Sequence, residues 1–166
     1  MRYADSPSTD LQTYVDAPPE RVWGPVTDIH LMAEISQELL SVRWVDGSAG
    51  PCLGARFVGR NRHEAVGEWE TTSTVIDYER PRVFAWAVED IERPAAVWRF
   101  TLRPEGAGTV VTQWVRIGPG ESGLNIVIDR RPDLEERIVA GRLSVFRDGM
   151  AANLARIKEL CEQPVS

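Results

Sequence analysis

Between Leu39 and Ile117 the chain runs through six successive stretches of residues with strand-like patterning, 39–47, 53–62, 66–79, 82–90, 96–104 and 109–117. The separators include Glu79-Arg80-Pro81 and Glu105-Gly106-Ala107-Gly108, which are too short to return the chain for a parallel crossover. Neighbouring strands must therefore be antiparallel, and this middle region reads as a meander. Residues 9–16 add a further strand that stops at Pro18-Pro19. From Pro18 to Asp28 the residues Val22, Trp23 and Val26 keep helical spacing, with Gly24-Pro25 limiting its regularity, and Asp28 can cap a second short helix over IHLMAEIS.

After Pro132 the period changes to that of a helix. Leu134, Ile138, Leu143, Phe146, Met150, Leu154, Ile157 and Leu160 recur every three to five residues up to about Glu162. Acidic residues Asp133, Glu135 and Glu136 suit its start, and Arg156 and Lys158 lie toward its end. Gly149 costs this helix about 1 kcal/mol relative to alanine, for which close packing of the sheet or a ligand is the expected reason. Residues 118–131 read equally as loop or as one more helical turn. Strand, two short helices, six strands and a long helix predict an α+β helix-grip fold, a curved seven-stranded antiparallel sheet around the C-terminal helix. Parity along 56–62 puts Phe57, Gly59 and Asn61 on one side and Arg56, Arg60 and Arg62 on the side facing water.

With 166 residues the chain is expected to form one domain over 1–166, its ordered core spanning about 9–162. That length supports a large core, or one with a hollow, without disulfides. The net charge of −6 argues against a grip on nucleic acid or anionic membrane surfaces. Cys52 and Cys161 have no paired spacing, residues 1–10 lack the apolar stretch of a signal peptide, and no run is long enough for membrane insertion; the expected setting is cytoplasmic. A homodimer stays open.

The runs MAEISQELLSVRWVDG, GARFVGRNR, EWETTSTV, RVFAWAV, VWRFTL and GMAANLARIKEL resemble the SRPBCC (START-like) superfamily, and within it the bacterial polyketide cyclase/dehydrase and lipid transport-like group. The resemblance covers about Gln12 to Glu162 and departs from the usual pattern at Ile35 and Gln37, where Trp and Pro are common. Its motifs are diffuse and bear on fold more than on function. It implies a helix-grip fold and, for its cyclase members, aldol cyclisation or dehydration of a bound chain.

Six tryptophans stand among 13 aromatic residues. Core packing is the usual fate of Trp. Here, however, Trp69, Thr71 and Ser73 share one strand face, and Asn61 shares that of Phe57, which suits the lining of an apolar cavity with a few orienting polar groups. Parity adds Trp44, Trp86, Trp98, Phe100 and Gln113, and the terminal helix adds Arg142, Phe146 and Met150. Gln113 reads equally as an amide satisfied within the protein, and Arg142 more often as a solvated or snorkelling side chain. Glu38 could close the helix side of the pocket but reads more readily as a surface carboxylate, and Glu68 and Glu70, on the face opposite Trp69, are expected as solvent-facing partners of the arginines.

Gly118-Pro-Gly-Glu-Ser-Gly123 matches G-x-G-x-x-G, but no βαβ unit follows it and Glu121 would stand where a pyrophosphate binds, so a dinucleotide site is rejected. His30 and His63 are the sole histidines and show no metal-ligand or triad spacing; His30 is the better acid–base candidate. No cofactor and no metal are expected. The favoured function is binding of a small hydrophobic or amphipathic molecule, lipid-like or polyketide-like, between sheet and helix. A polyketide cyclase/dehydratase with no convincing catalytic residue is the alternative, and a ligand-free interaction or stress-response domain the third reading.

Overall fold

A computed structural model describes residues 1–164. Seven strands form one antiparallel sheet: β1 (Ser8–Val15), β2 (Leu39–Val45), β3 (Arg56–His63), β4 (Gly67–Glu79), β5 (Val83–Val88), β6 (Ala96–Glu105) and β7 (Gly108–Ile117). They are ordered β1-β7-β6-β5-β4-β3-β2, so the meander is continuous and the first strand joins the last. Helices α1 (Pro19–Thr27) and α2 (Ile29–Ile35) follow β1 as the sequence predicts, and the Asp28 side chain accepts the His30 backbone N–H at 3.0 Å. The helix-grip arrangement is completed by α4 (Glu135–Glu162).

One segment left open by the sequence takes a definite form, and one helix boundary differs from the sequence reading. The segment 118–131 contains a helix, α3 (Gly123–Arg130), started by Ser122, whose side chain accepts the Leu124 N–H while Asn125 reaches back to the Ser122 N–H. The long helix begins three residues later than Pro132, which instead opens a short 3₁₀ turn over Pro132–Leu134.

The inner face of the sheet follows alternation except at irregularities between Leu39 and Ser41 and between Val75 and Asp77. Cross-strand partners Trp44 and Phe57, Phe57 and Ser73, Trp86 and Trp98, and Phe100 and Gln113 all point inward, and Arg56, Arg60 and Arg62 are exposed. On β5 both faces are apolar, but Phe84 and Trp86 join the main core, so the inward set is the one the weaker parity argument favours. That core lies at one end of the sheet. There α1 and α2 insert Val22, Trp23, Val26 and Ile29 against Phe84 and Phe100, and the C-terminal half of α4 adds Leu154, Ile157 and Cys161. Trp23 stands edge-on to Tyr78 at 5.5 Å and to Phe84 at 6.4 Å.

A second cluster sits at the opposite end, where Tyr3, Ile117, Ile128, Val139 and Leu143 bring together the N-terminal segment, β7, α3 and α4. Gly149 plays no part in either; it is exposed, and a Cβ there would meet nothing within 4 Å. The expectation of close packing at Gly149 is thus corrected, and nothing in the structure explains the residue.

Candidate functional site

Because α1, α2 and the C-terminal half of α4 fill only one end of the concave face, the other end stays hollow. There a cavity of about 580 Å³ lies between the inner face of the sheet, α3 and the N-terminal half of α4. This falls within the range of small-molecule pockets, roughly 300–1,000 Å³. Its walls are largely apolar, with Trp69 and Val88 on the sheet, Leu124 and Val127 on α3, and Ile138 and Val145 on α4.

Of the thirteen residues assigned to a cavity by the sequence, the structure brings six together on this wall: Asn61, Trp69, Thr71, Trp98, Arg142 and Phe146. Asn61 and Thr71 form one polar unit, the amide Nδ2 of Asn61 donating to Thr71 Oγ1 at 3.3 Å. Trp98 and Phe146 close the inner end edge-to-face, with ring centroids 4.9 Å apart.

The other seven are placed elsewhere. Phe57, Ser73, Trp86, Phe100, Gln113 and Met150 are buried in the packed interior, on the same faces but beyond the closed end of the cavity. Trp44 packs edge-on against Phe57 at 5.5 Å and walls a separate hollow of about 320 Å³ beside Asp28 and His30. The physical reason is common to all seven: parity fixes which face a side chain occupies, whereas packing by α1, α2 and the end of α4 decides which part of that face is filled.

The sequence reading assigns Arg142 to the cavity, and Glu38 to the surface or to the helix side of the pocket; the structure joins the two. Nη1 and Nη2 of Arg142 donate to the two carboxylate oxygens of Glu38 at 2.7 and 2.6 Å. Both side chains are about one-fifth exposed and both line the cavity. The guanidinium also lies 4.5 Å from the Phe146 ring centroid, so the pair links the start of β2, α4 and the aromatic end wall. His63, not His30, borders the cavity; its Nδ1 accepts the Ala65 backbone N–H at 3.1 Å. Among the described residues no group of three or more His, Cys, Asp or Glu side chains is arranged to hold a metal ion.

Sequence reasoning puts segment 118–131 near the cavity mouth without deciding its helical form, and it misses the residues that hold α3. The Tyr3 hydroxyl donates to the Gly120 carbonyl and has Ser122 Oγ at 3.3 Å, and the Tyr3 N–H donates to Glu135 at 3.0 Å. The N-terminal turn thus straps the loop that enters α3. The S-x-x-N run at Ser122–Asn125 was the one local sign of a helix start, weaker than the usual S-x-x-E. Burial pushes the Tyr3 phenol above its ordinary pKa, reinforced by the Glu121 carboxylate and partly offset by the Ser122 hydroxyl. A phenol with a raised folded-state pKa contributes stability that is full below the unfolded value of about 10 and is lost as pH rises through the folded value. The stability difference between wild type and Tyr3→Phe is therefore expected to be about 1 kcal/mol near pH 8 and to shrink above about pH 10 in denaturant titrations. A difference that stays constant with pH would show that the strap does not depend on the neutral phenol.

A family model described as polyketide cyclase/dehydrase and lipid transport matches residues 7–162. No functionally curated protein matches the chain significantly. Among solved structures, a polyketide-cyclase-like protein of Corynebacterium glutamicum is 30% identical, with a TM-score of 0.65 over 93% of this chain and 91% of the other. A di-domain ARO/CYC from the BE-7585A biosynthetic pathway has a TM-score of 0.66 at 16% identity; the match covers 95% of this chain and 50% of that one. A major latex-like protein of Panax ginseng, 10% identical over 95% of this chain and 98% of its own, has a TM-score of 0.61. At such low identity the last two speak for the fold alone.

Proposed function

The chain belongs to the polyketide cyclase/dehydrase and lipid transport family of the SRPBCC (START-like) superfamily, and on that premise we propose that it binds a small hydrophobic or amphipathic molecule, lipid-like or polyketide-like, in the cavity between sheet and α4. The cavity itself is the observation that carries this reading. An apolar space of about 580 Å³ gains affinity by removing ligand surface from water, and the Asn61–Thr71 unit and Arg142 supply orientation. No described helix is long and apolar enough to cross a membrane. One exposed and one buried free cysteine suit a reducing, cytoplasmic setting.

The reading is tested with the neutral fluorophore N-phenyl-1-naphthylamine. One site per chain is expected. A Cβ at Gly141, on the cavity wall, would meet nothing within 4 Å, so Gly141→Trp can send its ring into the space without displacing packed atoms. That substitution should weaken the fluorophore at least about tenfold by filling the site. The melting temperature should stay close to wild type. Absence of fluorophore binding, together with a native mass spectrum free of any co-purified molecule, would sink the proposal.

A cyclase or dehydratase working on the bound chain is the second reading, favoured by the presence of His63 and Glu121 at the cavity, where a proton could be exchanged with a substrate. Turnover of an aromatic polyketide mimic, lost in His63→Gln and dependent on pH, would support it. A rate no greater than buffer alone would leave binding as the function.

A further inference from the structure

Two amides lie where the core is otherwise apolar. Gln113 on β7 is 4% exposed and Asn153 on α4 is 6% exposed. Asn153 Nδ2 donates to Gln113 Oε1 at 3.2 Å, yet Asn153 Oδ1 is buried with no hydrogen-bond partner among the described residues. Leucine at position 153 would continue the buried stripe of Met150, Leu154 and Ile157 and remove the unmet Oδ1, although Gln113 Oε1 would lose its donor. A local rule broken without a structural return is the mark of a site that serves something else.

The location of the pair suggests what that is. Phe146, Met150 and Asn153 follow one another at helical spacings of four and three, which sets them along one side of α4. Phe146 lines the cavity and Asn153 does not. On the sheet, Trp98 lines the cavity, while Phe100, the next inward residue of β6, is the cross-strand partner of Gln113. The amide pair therefore sits directly behind the Trp98–Phe146 contact that ends the cavity.

We propose that the cavity continues, on ligand entry, past Phe146 to the Gln113–Asn153 pair, which receives the hydroxyl end of an amphipathic ligand. This rests on the cavity-binding function proposed above and names the ligand chemistry: an apolar body with a hydroxyl at its leading end. Asn153 Oδ1, which has no partner among the described residues, accepts the O–H. Phe146 is the movable wall, since it is only half-buried, whereas Trp98 is held by a near-parallel stack on Trp86 with centroids 6.3 Å apart. Met150, unbranched and adaptable, lies between Phe146 and the amides and can yield to the ligand.

The test compares naphthalene with 2-naphthol, two probes that differ by one hydroxyl, on wild type and Asn153→Leu by calorimetry. The expected result is that Asn153→Leu weakens 2-naphthol about tenfold and leaves naphthalene within about twofold. Gln113→Leu gives the same comparison from the strand side should the helix variant express poorly. Equal weakening of both probes would assign the amides a structural role and overturn the proposal, as would no weakening of either. Failure of naphthalene to bind wild type would instead overturn the cavity function on which the proposal stands.

Discussion

Phe100→Ala is expected to cost the fold about 3–5 kcal/mol, a large part of the stability of a domain this size. Phe100 is fully buried and packs at a tilt against Trp86, with centroids 6.2 Å apart. Its cross-strand partners Phe84 and Gln113 are buried as well, so removal of the ring leaves a cavity inside the packed interior. Phe146→Ala, at the cavity wall, should cost only about 1–2 kcal/mol, since that ring is already half exposed and its loss enlarges a hollow that exists. Urea titrations of the two variants measure the difference directly. Equal losses would mean that the interior behind Trp98 is not packed as described, and that the division between core and cavity is wrong.

That division is also where the sequence stopped being informative. Alternation on β3, on β4 as far as Val75 and on β6 carried the inward faces correctly, because a one-residue slip would have turned Arg56, Arg60 and Arg62 into the core. Phe57 and Asn61, two pairs apart on a single strand, nonetheless have different fates: Phe57 packs against Trp44 and Trp86, and Asn61 lines the hollow. What separates them is the reach of α1 and α2, a tertiary fact with no local signature. The pairing of Glu38 with Arg142 was hidden for the same reason, its members being 104 residues apart, although the border of the helix's apolar stripe places Arg142 at the cavity. The bulge between Val75 and Asp77 adds another such effect. It shifts the register of β4 on β5 and turns Tyr78 inward opposite Phe84, where simple alternation from Trp69 would have predicted Asp77.

The loop that admits the chain to α3 should be the most sensitive surface segment of the protein, and Gly120→Ala the substitution that shows it. The Gly120 N–H donates to the Pro94 carbonyl at 2.8 Å, and the Gly118 N–H donates to that of Ala95 at 2.7 Å, so the loop rests on the connection between β5 and β6. A Cβ at Gly120 would overlap the Arg93 carbonyl oxygen and stand 2.8 Å from the Pro94 carbonyl carbon. These are backbone atoms and cannot turn aside as a flexible side chain would. The loop must lift instead. Lifting it breaks the Tyr3 bond to Gly120 and displaces Ser122, the cap of α3, so one methyl group acts on the strap, the helix and the cavity wall together. The expected loss is about 2–3 kcal/mol, with faster hydrogen exchange over α3 and a weaker grip on N-phenyl-1-naphthylamine than wild type. Wild-type melting with intact binding would show that the loop has room to shift, and that α3 is not held over the cavity by its contact with residues 93–95. Loss of stability with binding unchanged would separate the two roles, leaving the loop as a structural brace and the cavity wall as independent of it.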